Sequence, residues 1–171
     1  MKSRAVQWIS IIVAIGFWST IAVTARAEGD PAALAAAVND TTATLQGGLK
    51  ASEREGAPIS AKFEIADGKL QLSVYTVKGN DFMEVVANPE SGAIAEAEKI
   101  TDTEDLKAAT SQKAAMAKAK VPLLAATETA VKANPGFVAV SIFPDLKNGQ
   151  ATAEVTLLQG TTLKKVTEKL D

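Results

Sequence analysis

Along this chain the spacing of apolar and polar positions changes several times, and each change marks an expected element. A continuous apolar stretch, Val6 to Val23, follows Lys2 and Arg4. Leu34, Val38, Leu45 and Leu49 then recur on one side at helical spacing, behind Asp30-Pro31, a capping aspartate with proline at the first helical position. One amphipathic helix is expected from there to about Glu55; Gly47-Gly48 weaken its centre, and Gly56 and Pro58 stop it. Beyond Pro58 the period drops to two. Ile59, Ala61, Phe63 and Ile65 alternate with Ser60, Lys62 and Glu64, a strand with one buried face. Asp67-Gly68 is a two-residue hairpin signal, since both central positions of a type I′ turn need positive φ. Leu70–Lys78, Phe82–Ala87 and Ala93–Ile100 continue the meander, separated by Gly79-Asn80-Asp81 and by the turn Asn88-Pro89-Glu90-Ser91-Gly92.

From Thr101 to Asn134 the composition is helical again. An Ala/Lys-rich helix with a thin apolar face runs through Met116 to Lys120, where it fits a linker lying across the outside of the fold. Pro122 either kinks it or starts a second helix, which Asn134-Pro135-Gly136 ends. A second meander follows. A shift of 81 residues puts Asp67-Gly68 on Asn148-Gly149, Val74 on Val155, Gly79 on Gly160, Phe82 on Leu163 and Val85 on Val166. Coincident turn chemistry, more than coincident apolar residues, points to a tandem duplication with a truncated second copy. Pro144 interrupts that copy's first strand and predicts an edge position or a bulge there.

The opening stretch changes the composition of everything after it. A basic start, an apolar run and Ala25-Arg26-Ala27 form a secretory signal with cleavage expected after Ala27; the rival reading is an uncleaved anchor. Cleavage would remove Lys2, Arg4, Arg26, Trp8 and Trp18, taking the net charge from −2 to −5. A mildly acidic domain with few aromatics has no handle for nucleic acid, and membrane contact is expected only through the N-terminal segment if it is kept. The protein is therefore expected to be periplasmic or secreted.

Neither cysteine nor histidine occurs in the 171 residues. That excludes thiol nucleophiles, disulfides, Ser-His-Asp catalysis and the commonest ligands of zinc, copper and haem. No glycine spacing suits a phosphate loop, no calcium loop is present, and the serines lack a basic partner. The carboxylates, among them Glu53, Glu55, Glu64, Glu84, Glu96 and Glu98, mostly alternate with apolar residues as solvent faces of strands do. No catalytic residue, metal or cofactor is expected. An exposed sheet edge or face could receive an extended peptide, and Tyr75, Phe82 and Glu84 are the candidate partner-binding residues. Asp67, Gly68, Asn88, Gly92, Asn148 and Gly149 are read as structural turn residues.

The runs Gly56–Glu64, Asp67–Leu70, Val74–Val77 and Phe82–Ile94 resemble the PepSY family. Asn88 stands where that family more often has Asp, which keeps the turn chemistry and removes a charge; a cation site there is not expected. The resemblance covers Leu45 to Ile100 well and Pro122 to Leu170 through the internal repeat. It implies an α+β architecture of two PepSY-like units, each a helix packed on an antiparallel β-meander, joined by the Ala/Lys-rich helix. The expected limits are a signal at 1–27, one unit at 28–100, a helical linker at 101–121 and a second unit at 122–171. It further implies a non-enzymatic envelope protein that binds a protein or peptide, or restrains a peptidase. The alternative is a structural accessory subunit of an envelope complex, acting through its central helix.

Overall fold

The structure, a computed structural model, describes residues 31–171; the expected signal, its cleavage site at Ala25 and Ala27, and Asp30 lie outside the described residues. Seven strands are formed: β1 (Ala57–Ala66), β2 (Lys69–Lys78), β3 (Asp81–Ala87), β4 (Ile94–Lys99), β5 (Val138–Lys147), β6 (Gln150–Gln159) and β7 (Thr162–Lys169). They make one antiparallel sheet in the order β4-β3-β2-β1-β5-β6-β7. The helices are α1 (Pro31–Asn39), α2 (Leu45–Ser52), α3 (Thr103–Met116) and α4 (Leu123–Ala133), so the class is α+β.

Turn chemistry sets the ladders. Asp67 and Gly68 have φ of 50° and 73°, and Asn148 and Gly149 have 52° and 81°, so both hairpins have the two positive φ values that a type I′ turn requires. Asn88 Oδ1 accepts from Glu90 N and Ser91 N, both at 2.9 Å, while Gly92 turns the chain at φ 68°. Ladder registers coincide at the interval of 81: Ala61↔Val74 with Ile142↔Val155, and Val74↔Val85 with Val155↔Val166. Both first strands also carry a bulge, at Pro58/Ser60 and at Ala139/Ser141.

The two meanders are joined at the centre of the sheet. β1 and β5 pair only through Ala61↔Ile142 and Lys62↔Ser141, and Ala61 and Ile142 are themselves 81 residues apart. A local two-fold axis normal to the sheet therefore runs beside that pair. The leading helices cross the join. Asn39, ending α1, donates to Gly160 O at 3.1 Å, and Lys113 of α3 donates to Gly79 O at 3.4 Å. Each half thus reaches the equivalent hairpin of the other.

The main core lies between one sheet face and α1, α2 and α4, where Leu45, Leu49, Ala126 and Ala130 meet Ala61, Leu72, Val74, Val85, Ile142 and Val155. Burying a leucine such as Leu72 completely contributes about 2 kcal/mol. α3 packs on the opposite face, where Ala109 joins Ile59 and Ile100 in a second apolar cluster that Tyr75, Val77, Phe82 and Leu106 extend.

Three sequence expectations need correcting, and one open alternative is resolved. The helix expected from Pro31 to Glu55 is two helices, because the link from Asp40 to Thr44 finds better partners. Thr41 Oγ1 and Ala43 N both bond Pro89 O, and Thr44 Oγ1 caps α2 by accepting from Gly47 N at 3.0 Å. The Ala/Lys-rich helix ends at Met116 and is not an outlying linker, since small residues let it lie close to the sheet: Ala109 and Ala115 are fully buried, and Gln112 Oε1 accepts from Ser60 Oγ at 2.8 Å. Of the two readings of Pro122, the second holds: it starts α4 as its N-cap. Pro144 lies in a central strand, which it tolerates because the β1–β5 pairing has already ended and only β6 flanks it, at Ala153.

Candidate functional site

The three candidate binding residues come together on the face that α3 partly covers. Tyr75 and Glu84 are direct cross-strand neighbours on β2 and β3, and Val77↔Phe82 is the next pair along on the same face. All three side chains are half-buried. Across the sheet the row runs Ser60, Tyr75, Glu84, Glu98, so two carboxylates stand directly opposite each other between β3 and β4. Such like-charge pairs are unfavourable unless something relieves them.

Neighbouring strands supply partial relief. Lys62 Nζ pairs with Glu64 Oε2 at 2.5 Å, Ser73 Oγ donates to Glu64 Oε1 at 2.9 Å, and Gln71 Nε2 donates to Ser73 Oγ at 2.8 Å. α3 completes the surround. Asp102 caps it, accepting from Glu104 N at 2.8 Å and Asp105 N at 3.2 Å, which fixes the first turn and presents Asp105 to Tyr75. Two turns further on, Lys113 Nζ stands 5.6 Å from the centre of the Phe82 ring, within cation–π range.

This surrounding shifts both titratable groups upward. Burial raises the Tyr75 phenol most, followed by the negative charges of Glu84 and Asp105 and a hydrogen bond to Asp105, so the phenol stays a neutral donor throughout the physiological range. Burial likewise raises Glu84; the neighbouring Ser73 hydroxyl opposes the rise, Glu64 adds to it, and Lys62 offsets part of it. With its native value above the ordinary 4.5, Glu84 binds a proton more tightly in the folded than in the unfolded chain. Below the ordinary value both states are protonated and nothing is lost. As pH rises from there through the native value, stability falls, and it stays lowered above it. Glu84→Gln is expected to melt higher than the wild type at pH 7–8 and no higher at pH 3.5; thermal melts across that range that ran parallel for the two proteins would contradict the assignment.

α3's contribution was not legible in the sequence, where its thin apolar face read as that of an outlying linker. The signal that could have located it is the run of alanines at packing positions flanking Gln112. At the interval of 81, Glu84 and Tyr75 correspond to Lys165 and Thr156, so the second half repeats the register and not the charges. A second concavity of about 260 Å³ lies where Leu49 and Glu53 face Pro58, Met116, Val121 and Leu124; it is mainly apolar. Among the described residues, no group of three or more His, Cys, Asp or Glu side chains is placed to hold a metal ion, and no helix is long and apolar enough to cross a membrane.

Compared with known protein families and with curated proteins, the chain matches none. Among solved structures it is similar to a chain from Clostridium difficile 630 described as a "putative lipoprotein", at 16% identity, over 70% of this chain and 88% of that one. The TM-score is 0.35, too low to carry over a fold or a role.

Proposed function

We propose that the chain is a non-enzymatic, exported module of two PepSY-like units that binds a peptide or protein in the cell envelope, with restraint of a peptidase as its regulatory form. The observation that carries this reading is the half-buried group of Tyr75, Glu84 and Phe82 on one sheet face, bordered by α3. It combines a neutral hydroxyl donor, an acceptor carboxylate opposed by Glu98 and an aromatic edge. Those are the elements of polar peptide recognition.

Accessory assembly through the central helix has less behind it. α3 already places Ala109, Gln112 and Ala115 against the sheet, leaving mainly polar residues outward. The test is retention of envelope proteins by the immobilised wild type and by the Phe82→Ala/Glu84→Arg double variant. A partner held by the first and released by the second is expected; identical retention would remove this surface from consideration. Hydrolysis of a peptide panel that is lost on replacing a single glutamate would overturn the non-enzymatic reading.

A further inference from the structure

We infer that the outer edge of β7 is a strand-acceptor site for an extended peptide bearing acidic residues, separate from the Tyr75 face. The two-fold relation within the sheet carries the argument. β3 and β7 are equivalent at the interval of 81, with matching ladder registers toward the centre and matching turn glycines, Gly79 at φ 64° and Gly160 at φ 59°. β3 is covered on its far side by β4, in the register Met83↔Lys99, Glu84↔Glu98, Val85↔Ala97 and Val86↔Glu96. Among the described residues β7 is the outermost strand on that side and no strand pairs with its far edge, the geometry that an added strand would use.

The side chains specify the partner's charge. Lys164 and Lys165 occupy the positions of Met83 and Glu84, so the edge that faces an acidic strand in the first half is reversed in sign in the second. Edge lysines often serve to repel incoming strands. Here both are folded back over the sheet: Lys164 Nζ reaches Asn134 Oδ1 at 2.6 Å and lies 5.9 Å from the Phe137 ring, while Lys165 Nζ pairs with Glu154 Oε1 at 2.7 Å. The backbone edge is left open between them. Leu163, at the position of Phe82, is 44% exposed and gives the incoming strand an apolar neighbour.

The probe is a synthetic peptide with the sequence of residues 92–100, the strand that covers β3, tested against the full protein by fluorescence titration and amide exchange. A second peptide carries lysine in place of both of its glutamates. The expected result is a monomeric protein that binds the acidic peptide, with new protection confined to Thr162–Lys169. Lys165→Glu should weaken that binding roughly 3–5-fold and strengthen binding of the lysine peptide by a similar factor, given the usual worth of a cross-strand ion pair. Protection on Thr162–Lys169 with none on β2 or β3 separates this site from the Tyr75 face. Absent binding, charge-insensitive binding, protection on β3 instead, or self-association of the protein through β4 and β7 would each overturn the inference.

Discussion

Replacing Gly56 by alanine should lower the unfolding free energy by about 3 kcal/mol, from backbone strain and a contact that cannot relax. Gly56 has φ 151° and ψ 175°, a region that side-chain-bearing residues scarcely enter. A Cβ there would stand 2.7 Å from the Val77 carbonyl oxygen, 2.9 Å from its carbon and 3.0 Å from Thr76 Oγ1. Those backbone atoms belong to β2, which is held by ladders on both sides, and the Thr76 side chain is fully buried. No flexible group can give way. Gly79→Ala provides the contrast, because at φ 64° its Cβ would meet nothing within 4 Å and only the left-handed backbone costs, about 1 kcal/mol. Urea unfolding of the two variants should separate them clearly; equal losses would mean that Gly56 is not a point of close approach.

A comparably large effect is expected where α2 meets β2, and it should be non-additive. The Cβ of an alanine at Gly48 would come within 2.5 Å of Leu72 Cδ2 and 3.0 Å of its Cγ, and Leu72 is completely buried. Gly48→Ala gains about 1 kcal/mol of helix propensity and loses about 1–3 kcal/mol to overpacking, so a net loss is expected. Leu72→Ala alone should lose about 2–5 kcal/mol to lost burial and an unfilled cavity. Together the new methyl occupies part of the space that the leucine vacated. The double variant should be more stable than the sum of the single losses implies, by about 1 kcal/mol or more. A double-mutant cycle by chemical denaturation measures the coupling, and strict additivity would refute the direct contact.

The strands were legible because each strong signal in the sequence is local. Alternation from Ala61 to Ile65 and the pairs Asp67-Gly68 and Asn148-Gly149 determine their own backbone geometry. Ile59, expected on the same face, lies instead in the α3-side cluster because the bulge at Pro58/Ser60 breaks the alternation there. The break in the first helix was not legible, since the Leu34-to-Leu49 spacing continues through it and the competing acceptor, Pro89 O, is almost fifty residues away along the chain. The joining of both meanders into one sheet was hidden for a related reason. Ala61, Lys62, Ser141 and Ile142 are ordinary strand residues whose pairing depends on bringing distant segments together. At the candidate site, Tyr75 and Glu84 could be placed on one face by counting along strands. Asp105 and Lys113 could not, because only the packed helix brings them there.

The β1–β5 join also bears on how the chain reaches this state. Every other ladder in the sheet links consecutive strands, most of them through turns of a few residues, and such contacts close at little entropic cost. The join links residues about eighty apart through two pairs, so it carries the largest chain-closure cost for the fewest backbone bonds. Folding should therefore proceed through two locally formed meanders whose docking is slow. Until they dock, β1 and β5 are unpaired edges open to other chains. The central residues Ala61 and Ile142 are thus the positions at which substitutions should alter folding rate and aggregation during refolding more than the affinity of either proposed surface.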